Sequence, residues 1–483
     1  MKLPYTVKIL GVLLMFFSIA QLIPVIVAFI YSETAHLYNF SITFIITFFS
    51  GLALYQLSTK ENSDLRTKDG FIITVFFWTV LALFGSIPIF LASIDNISYV
   101  DALFESISGL TTTGATVLIG LDELPRSLLF YRQLLQWLGG MGIIVLAVAV
   151  LPLLGVGGMQ LYRAETPGPL KGSKLTPRIT ETAKALWYVY LTMTVACALL
   201  YKVFGMSSFD AICHAFSTVA IGGFSTHDQS FAYFPQQGIR YTAIIFMLLA
   251  GMNFALHFTA WSKRRVFHYF YDSEFRCYFG IILLTFAVTS LTLLYYLEEF
   301  NQKTIGESLF LVVSISTTTG FLSSNYSELP LFLPIMLLTV AFIGACAGST
   351  GGGIKVIRAL ILLKQGGAEF TKLIHSNAVV SIKLSKRPLS PRISESVWGF
   401  FSMYVLVFLV LLLLLLSQGN SFITAFSAVG ATLNNLGPGL GDVSNNYHIL
   451  NNNSKLALCF AMLLGRLEIF TLLIVFTPGF WKN

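Results

Sequence analysis

The stretch SGLTTTGAT, Ser108–Thr116, decides how this chain is read. It ends a short amphipathic segment, Asp101–Thr113, on Gly114, and a long apolar run lies on either side. Related segments recur at Phe209–Ile221 before Gly222, at Ile305–Thr319 before Gly320 and at Ser421–Val429 before Gly430. The four glycines are 108, 98 and 110 residues apart, which marks one repeat of roughly 100 residues. Each segment has about 9–15 residues, too few to cross a hydrocarbon core about 30 Å thick; that length suits a half-helix that enters the bilayer and turns back.

Long apolar helices are predicted around each turn: 70–93 and 130–156, 183–204 and 240–261, 277–297 and 331–362, 395–417 and 455–478, after two leading helices at 9–30 and 40–57. Composition agrees. The 483 residues are 55% hydrophobic and 11% charged, against about 25% charged in a soluble domain. The expected fold is an all-α polytopic membrane protein. Four quasi-symmetric helix–re-entrant loop–helix repeats surround one central pore, and two extra transmembrane helices precede them. The expected division is residues 1–60 for the leading pair, then repeats at 61–160, 161–262, 263–363 and 364–483.

The net charge of +7 raises nucleic-acid binding as a function class. The basic residues are dispersed, however, in loops between apolar runs: Lys60, Arg66 and Lys68; Arg163, Lys171, Lys174 and Arg178; Lys263, Arg264, Arg265 and Arg276; Lys364, Lys372, Lys383, Lys386, Arg387 and Arg392. Residues 31–40 and 321–334 have no Lys or Arg. This alternation follows the positive-inside rule and implies a cytoplasmic N-terminus and C-terminus, with no nucleic-acid partner. The run Ile9–Ile30 behind Lys2 and Lys8 is too long for a signal peptide. The five cysteines are dispersed without metal-ligand or disulfide spacing.

Aligned on their glycines, the turns read Thr112-Thr113-Gly114, Ala220-Ile221-Gly222, Thr318-Thr319-Gly320 and Ala428-Val429-Gly430. The side chains differ and the glycine does not, so the shared chemistry is expected in the backbone carbonyls. Glycine permits the angles that turn successive carbonyls toward an axis, and rings of carbonyls replace the hydration shell of potassium. Half-helices aiming their C-terminal ends at the ion favour a cation. The transported potassium ion is the only ligand expected, and no covalent cofactor.

A second feature is GACAGSTGGG, Gly344–Gly353, inside an apolar run. A phosphate loop needs GxxxxGK[ST]; Gly348 and Gly353 have that spacing, but Ile354 stands where the lysine should be. A kinked helix is the bland alternative. The preferred expectation is an intramembrane loop, with Gly344, Gly348, Gly351, Gly352 and Gly353, that obstructs the pathway. Arg466 is expected mid-way along the last helix, where a charge costs at least ~2.5–3.5 kcal/mol and faces a cavity or partner. Its five donors would latch the loop closed. Glu468 is expected to pair with a neighbouring helix. His214 and His227 are expected as polar lining, Asp101, Asp210 and Glu307 as helix-opening acids, and Asn434, Asn435 and Asp442 as outer vestibule.

With these motifs, and with KLTPRITETAKAL (Lys174–Leu186), STVAIGGFSTHD (Ser217–Asp228), SISTTTGF (Ser314–Phe321), GSTGGGIK (Gly348–Lys355) and GRLE (Gly465–Glu468), the whole chain resembles the potassium-translocating membrane subunit of bacterial Trk systems, of the TrkH/TrkG type in the Trk/Ktr/HKT superfamily. The resemblance implies potassium uptake across the bacterial inner membrane and gating by the loop and Arg466. It also implies a homodimer and a cytosolic TrkA-type nucleotide-binding subunit, with docking surfaces expected at 163–184, 263–276 and 364–392. The second and fourth turns depart from TTTG, which implies modest discrimination against sodium. The alternative is a symporter coupled to protons or sodium, since broken helices also occur in carriers. No nucleophile–base or metal cluster suggests an enzyme.

Overall fold

A computed structural model describes every residue except 1–2, 59–66, 95–96, 143–178, 264–266, 297–301, 325, 331, 386 and 483. Two leading helices, α1 (Leu3–Ile30) and α2 (Thr34–Gln56), form an antiparallel pair. Small residues let membrane helices approach closely, and here a Cβ added to Gly51 would lie 2.7 Å from the carbonyl of Gly11.

Four repeats follow. The first has α3 (Thr67–Leu91), the short α4 (Tyr99–Leu110) and α5 (Arg126–Gly140). The second has α6 (Ile179–Val203), the short α7 (Ser208–Ala220), α8 (Gln237–Ala250) and α9 (Phe254–Lys263). The third has α10 (Ser273–Tyr296), the short α11 (Gln302–Ser316), α12 (Leu333–Ile343) and α13 (Val356–Ile374). The fourth has α14 (Pro391–Ser417), the short α15 (Phe422–Leu433), α16 (Asn452–Arg466) and α17 (Phe470–Leu473). A small antiparallel hairpin pairs Lys383–Leu384 with Arg387–Pro388.

Among the described residues, six helices are long and apolar enough to cross a membrane, or up to eight if each of two bent pairs is one span. The bent pairs correct two predicted helices. The run 240–261 bends by 92° between α8 and α9, where the Asn253 side chain accepts from the Ala255 amide at 2.8 Å and starts a new helix. The run 455–478 bends by 109° after Arg466, with Glu468 and Ile469 at φ 53° and 56°. Arg466 therefore ends a helix instead of standing at its middle. The predicted extension of α5 to 156, most of the basic loop at 163–184, and Lys60, Arg66, Arg264, Arg265 and Lys386 lie outside the described residues.

Local chemistry starts the short helices. Ser98, Ser207 and Ser421 cap α4, α7 and α15 by accepting from the amides of Asp101, Asp210 and Thr424, the ordinary role of serine before a helix. Asp101 completes a capping box with Ser98. Contrary to the sequence expectation, Glu307 does not open its helix: α11 begins at Gln302, and Glu307 pairs with Arg240 at 3.1 Å.

Buried charge joins the first and last repeats. Lys455 Nζ donates to Asp101 at 2.6 Å and to the His448 carbonyl at 2.9 Å, and both charged side chains are buried. Removing one partner of such a pair leaves an unpaired buried charge, at a cost of ~3–5 kcal/mol. Asp101→Leu is thus expected to lower the melting temperature of the detergent-solubilised protein sharply, and the double variant Asp101→Leu/Lys455→Met to recover most of the loss.

Candidate functional site

Each short helix ends in the same backbone device. The amides of Thr113, Gly222, Thr319 and Leu436 donate to the carbonyls of Ser108, Ser217, Ser314 and Ala431 at 2.9, 2.8, 2.8 and 2.9 Å. The preceding residues, Thr112, Ile221, Thr318 and Asn435, sit at φ 56°, 54°, 66° and 52°. This is the six-to-one closure of a Schellman motif, whose left-handed position usually holds glycine. Here none of the four is glycine, and a left-handed conformation costs roughly 1–2 kcal/mol per such residue.

The next residue but one is a glycine at positive φ in all four turns: Gly114 at 80°, Gly223 at 82°, Gly320 at 83° and Gly437 at 94°. These glycines close a ring. A Cβ on Gly114 would collide with the Gly222 carbonyl, one on Gly223 with the Thr319 carbonyl, and one on Gly320 with the Leu436 carbonyl. On Gly437 it would lie 2.8 Å from the Thr113 carbonyl. Four carbonyl oxygens, one per repeat, thus converge where side chains are excluded.

Two predicted turn positions are corrected by this geometry. In the second repeat the left-handed glycine is Gly223, one residue after Gly222. In the fourth, Ala428, Val429 and Gly430 lie inside α15, and the turn is Asn435-Leu436-Gly437. Asn434 and Asn435 are buried at that turn and not in a vestibule. Gly430 follows Ser427, Ala428 and Val429 much as Gly114 follows three threonines, so local spacing points to it. A better signal was present: Ser98, Ser207 and Ser421 each precede the closing amide by 15 residues.

The loop between α12 and α13 bonds directly to the third and fourth turns and to the end of the second short helix, and reaches the first turn through Arg466. Gly352 accepts no side chain, because a Cβ there would meet the Asn434 carbonyl. The Gly352 amide donates to Thr318 Oγ1 at 2.7 Å and the Gly353 amide to the Asn434 carbonyl at 3.1 Å. Thr350 Oγ1 donates to the Val219 carbonyl at 3.0 Å. Arg466 completes the set: Nη1 donates to the Thr350 carbonyl and to Thr112 Oγ1, both at 3.1 Å, and Nη2 to the Gly139 carbonyl at 2.6 Å. Sequence reasoning missed the loop's other anchors. Gly348 accepts from the Phe254 amide at 3.0 Å, the Cys346 amide donates to Gly251 at 3.0 Å, and Glu274 takes the Ala347 and Ile357 amides at 2.7 and 3.2 Å. Lys355 Nζ donates to the Gly351 carbonyl. Glu468 pairs with Arg358.

Behind the first two turns, Arg132 Nε donates to Glu105 at 2.7 Å, and its Nη1 to the Ser225 carbonyl at 3.1 Å. Glu105 also accepts from the Val117 amide at 3.0 Å. Among the described residues no group of three or more His, Cys, Asp or Glu is placed to hold a metal ion. His214 is buried and bonds Ser225 at 3.0 Å.

The match to a family model for cation transport proteins, TrkH, runs over residues 36–482. The chain belongs to the TrkH family. Family membership makes it a transport protein and not an enzyme, and its apolar helices make it multi-pass. It is 52% identical over 480 residues to the Trk system potassium uptake protein TrkH of Vibrio parahaemolyticus, covering 99% of each chain. To the Trk system potassium uptake protein TrkG of Escherichia coli it is 41% identical over 473 residues, covering 98% of this chain and 97% of that one. The crystal structure of the potassium transporter TrkH from Vibrio parahaemolyticus superposes with a TM-score of 0.91 at 49% identity and complete coverage of both chains.

Two predictions come from this site. Gly437→Ala places a Cβ at φ 94° against Thr113 and is expected to abolish cation uptake in a potassium-uptake-deficient host. Gly430→Ala, inside α15 and facing the Phe342 ring at 3.1 Å, should retain most of it. The second concerns His227, which pairs with Asp122, stands 3.5 Å from Asp210 and stacks on Tyr233. Burial disfavours its charged form, but the Asp210 and Asp122 carboxylates outweigh burial and raise its pKa. The stabilisation is complete below the unfolded pKa of about 6.5 and is lost as pH rises through the folded value. Melting temperature should fall as pH rises above about 6.5, and His227→Gln should flatten the fall.

Proposed function

We propose that the protein carries potassium ions into the bacterial cell across the inner membrane, through a gated, channel-like pore. The observation that carries this is the closed ring of four glycine-on-carbonyl approaches. Carbonyl oxygens of Thr113, Gly222, Thr319 and Leu436, framed by Gly114, Gly223, Gly320 and Gly437, replace the hydration shell of the ion. Thr112 and Thr318 stand one residue before the first and third ring carbonyls, and Ala220 and Ile221 form the weaker second side. The C-terminal ends of α4, α7, α11 and α15 face the turns and favour a cation. The names of the relatives favour potassium as that cation.

The loop with Gly344, Gly348, Gly351, Gly352 and Gly353 is the gate. It bonds to the third and fourth turns and to the end of the second short helix, and Arg466 ties it to the first turn and places a positive charge in the path. Opening is driven by a cytosolic TrkA-type nucleotide-binding partner docked on the basic segments 263–276 and 364–392, with both termini cytoplasmic and the protein a homodimer. These assignments rest on the family and on loop charge.

The hydrogen bonds from Arg466 to Thr112, Thr350 and Gly139 come from a charged donor, each worth ~1.5–3 kcal/mol. Arg466→Ala is expected to raise potassium flux into liposomes by about tenfold or more, measured against sodium in the same vesicles. Unchanged flux would remove the latch from the mechanism.

A further inference from the structure

We propose that Gln136 is a specificity-determining residue: its amide replaces the side chain that the second turn lacks and holds the Gly222 carbonyl in place. The inference rests on the ring acting as the ion filter.

In the first and third turns the residue supplying the ring carbonyl is a threonine. Thr113 Oγ1 bonds Thr111 Oγ1, and Thr319 Oγ1 bonds Thr317 Oγ1, each at 2.7 Å. The hydroxyl pair fastens the strand to the end of its own short helix. The second turn has Ala220 and Gly222 at these places, so it has no hydroxyl to use. A side chain from the preceding repeat fills the gap. From α5, Gln136 Nε2 donates to the Gly222 carbonyl at 2.6 Å, and Gln136 Oε1 accepts from the Phe224 amide at 3.2 Å. Gln136 is fully buried. A Cβ on Gly222 would run into the Gln136 amide group, so the amide occupies the volume that a threonine would.

Helix α16 provides the internal comparison. Gly139 and Gly465 each press on the final carbonyl of their repeat's short helix, Leu110 and Leu433. Three residues before Gly465 stands Met462, where α5 has Gln136, and methionine has no hydrogen to donate. The first repeat thus supplies a donor that the fourth does not.

Two effects act in one direction. A carbonyl already accepting an N–H has one lone pair left for an ion, which weakens the field on that side of the ring. A strand held at the Gly222 carbonyl and at the Phe224 amide by the two ends of one side-chain amide also resists moving inward around a smaller ion. Both disfavour sodium, which needs a strong, close field to compensate for its tighter hydration.

The test uses full-length protein in liposomes, with potassium and sodium fluxes read on one preparation. Gln136→Leu is expected to lower the potassium-to-sodium flux ratio about fivefold, the equivalent of ~1 kcal/mol for one hydrogen bond, with the melting temperature little changed. Gly222→Thr alone should lose transport, because the new side chain meets Gln136. Gly222→Thr with Gln136→Ala should regain both transport and the ratio. A wild-type ratio in Gln136→Leu overturns the inference, as does Gly222→Thr behaving alike in both backgrounds. Gly320→Ala separates the two levels: if it too leaves flux and ratio unchanged, the ring is not the filter. If it alters them while Gln136→Leu does not, only the role of Gln136 falls.

Discussion

At the end of each short helix one amide donates to the carbonyl five residues earlier, and this bond decides where the chain can go next. The closure forces the intervening residue into the left-handed region, whether it is Thr112, Ile221, Thr318 or Asn435. The following strand then turns away from its helix, and a glycine must come two residues after the left-handed one to let the neighbouring repeat's carbonyl approach. Strain of this kind persists only where the surroundings over-determine it. Serine caps fix the start of three of the short helices, and the adjoining turns press on one another in a closed cycle.

That dependence explains the buried polar groups around the turns. A backbone that leaves helical hydrogen bonding at membrane depth must find partners within the protein. Glu105, Arg132, Gln136, Asn435 and Arg466 are such partners. Asn435 Nδ2 donates both to Thr113 Oγ1 at 2.9 Å and to the Met462 carbonyl at 3.0 Å, so the fourth turn is fastened to the first.

The repeat architecture was legible because apolar runs and short segments alternate at a period no globular domain has. The loop Gly344–Gly353 was legible because half its residues are glycine inside an apolar run. Register was harder. Gly430 follows SAV much as Gly114 follows TTT, but glycine inside a helix is tolerated when neighbours pack on it, and nothing local in the sequence ends α15 there. The breaks at Gly251–Asn253 and after Arg466 were also hidden, because both flanks are apolar and a composition count joins them. Side-chain partners such as Arg358 for Glu468, or Gln136 for Gly222, link residues far apart in sequence, and only the fold brings them together.

The loop below the turns has one more consequence. Its backbone is bonded to Thr318, Asn434, Glu274 and Arg466, and its Thr350 hydroxyl to Val219. Moving it out strands all of these at once, in a region where lipid and apolar side chains offer no substitute. Only water can take the vacated places. If the loop opens as proposed, wetting and displacement are a single event that changes the volume of water held by the protein, which would couple opening to osmotic pressure.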